Sequence, residues 1–379
     1  MKPLPLLIAL CGLALVGGII LVQTRPTPPE QAMDSAPQAP LPSNFEELDE
    51  PLPPIPRPPL LEEDLVPDPQ LVALVEEHLG MSFTESPVFE PVDAETIIKV
   101  VSEGVTATLS SEGKDTLNTI CQRIGALPSF QPLDQTVITI LAGEVRGVIT
   151  PTRNLIMHDF QSSSPPEQAA LVNLLAQRLL SQRFPAPASS ASVDQILARH
   201  FAVQTLALSV EKEFRKTLPA YPPSLNENIR ESILLGLPAF FHELSTFGEF
   251  HLLDQLTGTK VAEAYSAVRS ESSTPSRALL AFPFTQPVSE GPSDLGAIPL
   301  YLLLLEGSDP TSARTLSKNL VGDEARLAEG ALTWTLRFSS EQSPPRVAEA
   351  LRSYFSLRDP ERKVSIEVRG EEIILVVRP

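Results

Sequence analysis

Proline decides where this chain can fold. From Arg25 to Pro69 the sequence is rich in proline and acid, with runs such as PTPPE, APQAPLPS and EPLPPIPRPPLLEED. Each proline fixes φ and removes a backbone donor, so neither helix nor sheet can propagate there. The stretch is expected to be an extended polyproline-II or disordered spacer. A sharper reading takes PLPPIPRPP as a ligand for a proline-binding domain, but such strings arise by chance in proline-rich spacers. Foldable sequence therefore begins near Asp68.

Upstream of the spacer, Leu4 to Val22 is uncharged and almost wholly apolar. At ~1.5 Å per residue such a helix spans a hydrocarbon core of ~30 Å. A cleaved signal peptide competes with this reading. No small-x-small cleavage site follows the run at once, and the run is longer than a usual signal core. Leu10 is too large to precede a lipidated Cys11. The expected organisation is a signal anchor over 1–25, a linker over 26–69, a helical domain over 70–300 and an α+β unit over 301–379. Lys2 before the span and Arg25 after it give a weak positive-inside bias. The bulk of the chain is expected on the extracytoplasmic side of a bacterial inner membrane.

The net charge of -18 argues against a nucleic-acid partner, which needs a basic face. The two cysteines, Cys11 and Cys121, lie in different regions and cannot build a disulfide framework. The five histidines are scattered, and no Cys/His cluster has zinc-site spacing.

Periodicity places the elements. Pro69 to Leu79 is expected to be a short helix, and Ala94 to Val101 could be strand or helix. Asp115 to Gly125 carries Leu117, Ile120, Cys121 and Ile124 at helical spacing, stopped by Gly125 and Pro128. On that stripe Cys121 is a buried small hydrophobe rather than a reactive thiol. Strands are expected at 136–141, 144–150 and 155–158, the last two joined by a Pro-Thr-Arg-Asn turn. A long helix follows from Pro166 to Phe184, and a second from Val193 to Lys216. Glu227 to Gly248 should be a helix or a pair broken at Pro238, and Lys260 to Val268 another. The C-terminal portion offers a strand at 333–338, a helix at 344–355 and a hairpin, KVSIEVRGEEIILVVRP, turning at Arg369-Gly370-Glu371. Strands followed by long helices make the fold class α+β and predominantly helical.

The order GVITPTRNLIMHDF, then PEQAALVNLLAQRLLSQRF, resembles the strand pair and active-site helix of a bacterial His-Glu-x-x-His zinc metallopeptidase family of the gluzincin kind. The resemblance runs over roughly 115–379. The family's His-Glu-x-x-His falls on Asn173, Leu174 and Gln177. LARHFAVQTLALSV is similar to the helix that supplies the third ligand, with Gln204 at the glutamate and Thr205 at the neighbouring glycine. YPPSLNENIRESILLGLPAFFHELSTFGEF keeps the family's Pro-Pro and Gly248, with Phe250 where tryptophan would stand. SESSTPSRALLAFP looks like a worn Pro-Pro-x-Ser-Thr signature, and VGDEARLAEGALTWTLRF keeps the closing Gly-Asp and Ala-Leu-x-Trp. Each match is weak, whereas their order and spacing together are specific. The resemblance implies a zincin-like fold with a small strand pair before the active-site-type helix.

It also implies that the chemistry is gone. Catalytic zinc needs three ligands from His, Cys or carboxylate and an open position for water. In His-Glu-x-x-His the histidines at i and i+4 share a helix face, and the glutamate takes the water proton. Asn173 and Gln177 keep that spacing with neutral amides, Leu174 moves no proton, and Gln204 keeps the length of glutamate without its charge. The expectation is a pseudoenzyme with no metal or other cofactor, whose three amides meet at the vacated position. Read without the resemblance, Leu171, Leu175 and Leu179 at i, i+4 and i+8 mark an ordinary amphipathic core helix.

Other candidates are weaker. His242-Glu243 followed by Thr246 lacks a second histidine. His158-Asp159 ends a strand, His251 stands near Asp254, and Glu211 or Glu213 as displaced ligands would still leave two amides facing the metal. No Gly-x-Ser-x-Gly elbow frames a serine. Three functions follow. The first is a membrane-anchored binding domain for an envelope protein or peptide, pairing with extended chain at an edge formed by Val148, Ile149, Leu155 and Ile156. The second is a hydrolase with a non-zinc site, and the third a purely structural envelope protein.

Overall fold

The computed structural model of the chain describes residues 67–93, 95–100, 111–128, 132, 133, 136, 147–150, 155–159, 164–184, 192–219, 239–245, 247–253, 275–280 and 293–379. The expected anchor, nearly all of the spacer, most of the 136–141 strand and the helices at 227–238 and 260–268 lie outside them. Among the described residues, no helix is long and apolar enough to cross a membrane.

The fold is mixed α/β with two sheets. The first described helix, α1 (Pro69–Leu79), starts where the prolines stop being harmful. Asp68 caps it by accepting from Gln70 N at 2.8 Å, and Pro69 stands where no helical donor is needed. Gly80 ends it at φ 64°, returning its N–H to the last carbonyls. A short strand β1 (Val88–Pro91) follows, and 95–100 is helical. Helix α2 (Ser111–Arg123) begins four residues before the expected start at Asp115.

Strands β2 (Gly147–Thr150) and β3 (Leu155–His158) form an antiparallel pair, with β1 parallel to β3 on the far side. The order β1-β3-β2 makes β3 the central strand. Helix α3 (Pro165–Arg183) is joined to α4 (Val193–Arg215), whose start carries a full capping box between Ser192 and Gln195. Next come α5 (Ala239–Ser245), a π-helical turn at Gly248–Leu252 and α6 (Pro275–Leu280).

Helix α7 (Ala297–Gly307) is apolar all round and buried from Ala297 to Leu304. The 300/301 domain boundary falls inside it, and one continuous apolar core runs from Val75 to Val377. The division into two packed units is therefore not a division of the core. Helix α8 (Pro310–Ser317) leads into β4 (Leu320–Ala328) and β5 (Ala331–Phe338), then α9 (Ser343–Arg358), β6 (Val364–Arg369) and β7 (Glu372–Val377). These strands form an antiparallel sheet in the order β4-β5-β7-β6. On β5 and β7 alternate residues are buried, the period-2 signature of a sheet with one covered face. Glu329 and Gly330, both at positive φ, turn β4 into β5, as a two-residue primed turn requires.

The C-terminal unit also finishes α2. Tyr354 donates to the Ile124 carbonyl at 2.9 Å, and Arg362 donates to those of Gln122 and Arg123 at 2.8 and 3.0 Å. These carbonyls close the end of α2, that of Gln122 also accepting from Gly125 N at 3.1 Å.

Candidate functional site

Helix α3 is not amphipathic. Residues Val172 to Leu180 are all buried, including Asn173, Gln177 and Arg178. The helix is enclosed by α1, α4 and β2, so its polar side chains must find partners inside the protein.

Two of the three expected amides meet. Gln177 Nε2 donates to Asn173 Oδ1 at 2.6 Å, the i, i+4 contact the sequence spacing allows. Asn173 Nδ2 then donates across to α4, and its acceptor there is Glu211 Oε2 at 2.9 Å. The other oxygen, Oε1, accepts from Arg215 Nε at 2.8 Å, with Nη2 also 2.8 Å away. Glu211 is 0 % exposed, Asn173 4 % and Gln177 6 %. The result is a buried chain, Arg215 to Glu211 to Asn173 to Gln177.

Gln204 reaches the π-helical turn with its side-chain oxygen. Asn173 pairs with Glu211 at one end of the helix pair, and Arg199 binds the Phe184 carbonyl at the other, so α3 and α4 run antiparallel. Gln204 precedes Glu211 by seven residues, roughly 10 Å along the axis. It lies over the π-helical turn, where a Cβ on Gly248 would come within 2.8 Å of its Oε1 and 3.0 Å of Thr205 Oγ1. Thr205 Oγ1 also donates to the Gly248 carbonyl at 3.4 Å. The residue of α4 that faces the amide pair is Glu211, which sequence reasoning set aside. Its signal was available: Glu211 and Arg215 stand at i, i+4, and a carboxylate on the apolar stripe of a long helix needs such a partner.

Leu174 packs on β2. A Cβ at Gly147 would lie 2.5 Å from Leu174 Cδ1 and 3.0 Å from the Met157 carbonyl, so β2 approaches α3 as closely as glycine permits. The proposed peptide edge needs correcting. Val148 and Ile149 lie on β2, an edge strand among the described residues. Leu155 and Ile156 lie on β3 and pair on both sides, Leu155 with Val88 and Thr150, Ile156 with Phe89 and Ile149. Strand β1, flanked by prolines and unrecognised in the sequence, takes the edge they would have offered.

Of the remaining candidates, Thr246 and Asp254 lie outside the described residues. His158 is buried edge-on to Phe89. His251, on the π-helical turn, bridges Glu243 at 3.3 Å and the Tyr301 hydroxyl at 2.8 Å, while Arg314 donates to its carbonyl at 2.5 Å. This order, hydroxyl to imidazole to carboxylate, has the logic of a nucleophile relay. Tyr301, however, is only 2 % exposed and enclosed by Phe247 and His251, so the chain acts as a cross-brace between α5, the π turn and α7. Burial pushes the Cys121 thiol up to about 12, which leaves it inert.

The residues of the α3–α4 site do not fit zinc. Both oxygens of Glu211 are engaged, the amides are neutral, and the Arg215 cation occupies the side from which a metal would be held. A divalent ion at ligand distance from Glu211 would meet that guanidinium at roughly 4–5 Å, a repulsion of several kcal/mol even at an effective dielectric of about 20. Among the described residues, no group of three or more His, Cys, Asp or Glu side chains is placed to hold a metal. No family model matches the chain, and no curated protein matches it.

Proposed function

We propose that this chain is a membrane-anchored, catalytically inactive metallopeptidase-like protein whose domain binds an extended peptide or protein segment outside the cytoplasm. The observation that carries the reading is the buried chain Arg215–Glu211–Asn173–Gln177. It puts an internal cation and two amides where the resemblance calls for a metal and its histidines. Leu174, at the position of the general base, supports the same reading by packing against Gly147 instead of facing water. The anchor rests on the apolar run Leu4 to Val22, and the zincin-like fold rests on the sequence resemblance.

The binding role draws on β2, an edge strand among the described residues that lies beside α3. Strand addition needs backbone donors and acceptors and no metal. Val148 and Ile149 are the residues to perturb.

Elemental analysis of the purified full-length chain tests the inactive site, with zinc expected well below one per chain. Stoichiometric zinc would overturn the reading. A sharper version installs Asn173→His and Gln177→His together. That variant should stay zinc-free until Arg215→Met is added, after which Glu211→Ala, and not Gln204→Ala, should abolish binding. For the partner role, fluorescence anisotropy with extended peptides should show binding that Val148→Pro or Ile149→Pro removes. Unchanged binding in both would move the site away from β2.

A further inference from the structure

A second buried polar cluster lies away from the α3–α4 site, where the starts of α4, α6 and α7 meet β4. Asp323 on β4 is saturated with donors. Its Oδ1 accepts from Ser293 Oγ at 2.5 Å and Gly296 N at 3.1 Å, and its Oδ2 from Leu295 N at 2.9 Å and Trp334 Nε1 at 2.8 Å. Four donors satisfy both oxygens of this group.

Asp194, in the first turn of α4, faces it across Gly296. A Cβ on Gly296 would fall 2.0 Å from Asp194 Oδ1, so the carboxyl fills the space a side chain would need. Asp194 is 0 % exposed, and Oδ1 accepts from Ser276 N at 3.2 Å. Oδ2 is buried, and among the described residues it has no hydrogen-bond partner. The Ser276 and Ser293 hydroxyls stand beside the group. Ser293 spends its one proton on Asp323, so toward Asp194 it can only accept.

The surroundings supply no compensating cation among the described residues. Asp294 takes the Asp194 N–H on its carbonyl at 3.2 Å, and its own carboxylate accepts from Ala325 N. Arg277, next to Ser276, donates to the Lys318 carbonyl, and Arg199, one turn along α4, donates to that of Phe184. Helix α7 has no charged residue in its first turn. An ionised Asp194 would therefore be a buried charge beside a second carboxylate, with one oxygen unsatisfied.

We propose that Asp194 carries a proton at and below neutral pH and acts as a proton-operated latch, its neutral carboxyl joining the start of α4 to α7 and β4, and its ionisation loosening that seam. Burial first, and the neighbouring Asp323 after it, push the group up to about 7 against the pull of Ser276. A carboxyl raised in the folded state binds its proton more tightly there than in the unfolded chain. Folding is then most favoured below the ordinary carboxylate range, loses stability as pH rises from there to about 7, and levels off above. The seam lies on the helix that carries Glu211.

The test is denaturant unfolding of the full-length chain from pH 5 to pH 9, in the wild type and in Asp194→Asn, which keeps the acceptor and replaces the acid O–H with an amide donor. The wild-type unfolding constant should rise by roughly fiftyfold between pH 5 and pH 7, and Asp194→Asn should lose that rise. Infrared difference spectra provide a readout in the folded wild type, as a protonated carboxyl band lost between pH 6 and pH 9. Equal pH slopes in the two proteins, or the absence of such a band at pH 6, would overturn the proposal.

Discussion

The α3–α4 pair and the C-terminal sheet with α9 are built by different rules. In the sheet, β5 and β7 bury every second residue, and the covered face of these two strands is apolar, with Trp334, Leu336, Ile373 and Leu375 at 0 % exposure. In the helix pair the enclosed surface includes a carboxylate, a guanidinium and two amides joined end to end. The sheet is held by burial, which is non-directional and forgiving. The helix pair also depends on a polar chain in which each member needs the next, so its stability is more brittle.

Four substitutions would break or sharpen that contrast. The largest loss is expected from Arg215→Met, which leaves the Glu211 carboxylate buried without its cation. Denaturant unfolding should show destabilisation of about 3–5 kcal/mol, much of it regained in Arg215→Met with Glu211→Gln. If the single variant were as stable as wild type, Glu211 would not be a committed carboxylate. In the sheet, Leu336→Ala should cost about 2–4 kcal/mol through the cavity it leaves, with no single second change expected to restore it. Gly147→Ala comes next, at about 1–3 kcal/mol, because the new methyl meets Leu174 Cδ1. Leu174→Ala in the same chain should relieve the clash, and a missing coupling in that double-mutant cycle would separate β2 from α3. Glu367→Gln, in an exposed pair with Arg369, should leave the melting temperature unchanged.

Much of the fold was legible where local rules suffice. Helix α1, strand β3 and the hairpin turn at Gly370 fall where capping residues, alternation and a glycine at φ 59° put them. Strand β1 was not legible, because prolines at both ends hide a four-residue strand that exists only by pairing with β3. Strand β4 was hidden too, since VGDEARLA has no clean alternation and owes its place to β5. For the candidate site, the Asn173–Gln177 contact followed from helical spacing. Glu211, which the resemblance did not single out, is the residue of α4 that accepts from Asn173.

The sequence by itself determined the local features: where proline stops and helices start, which glycines turn a hairpin, and that an amide pair shares one face of α3. Each depends on residues within a turn or two of one another. Only the tertiary structure decided what those groups meet. Asn173 finds Glu211 from 38 residues away, and Leu174 finds Gly147 on another element. Asp194 finds Asp323 across a glycine in a third. A buried polar group has to be satisfied, but its residue type does not say by whom; helix register and the close approach of backbones settle that.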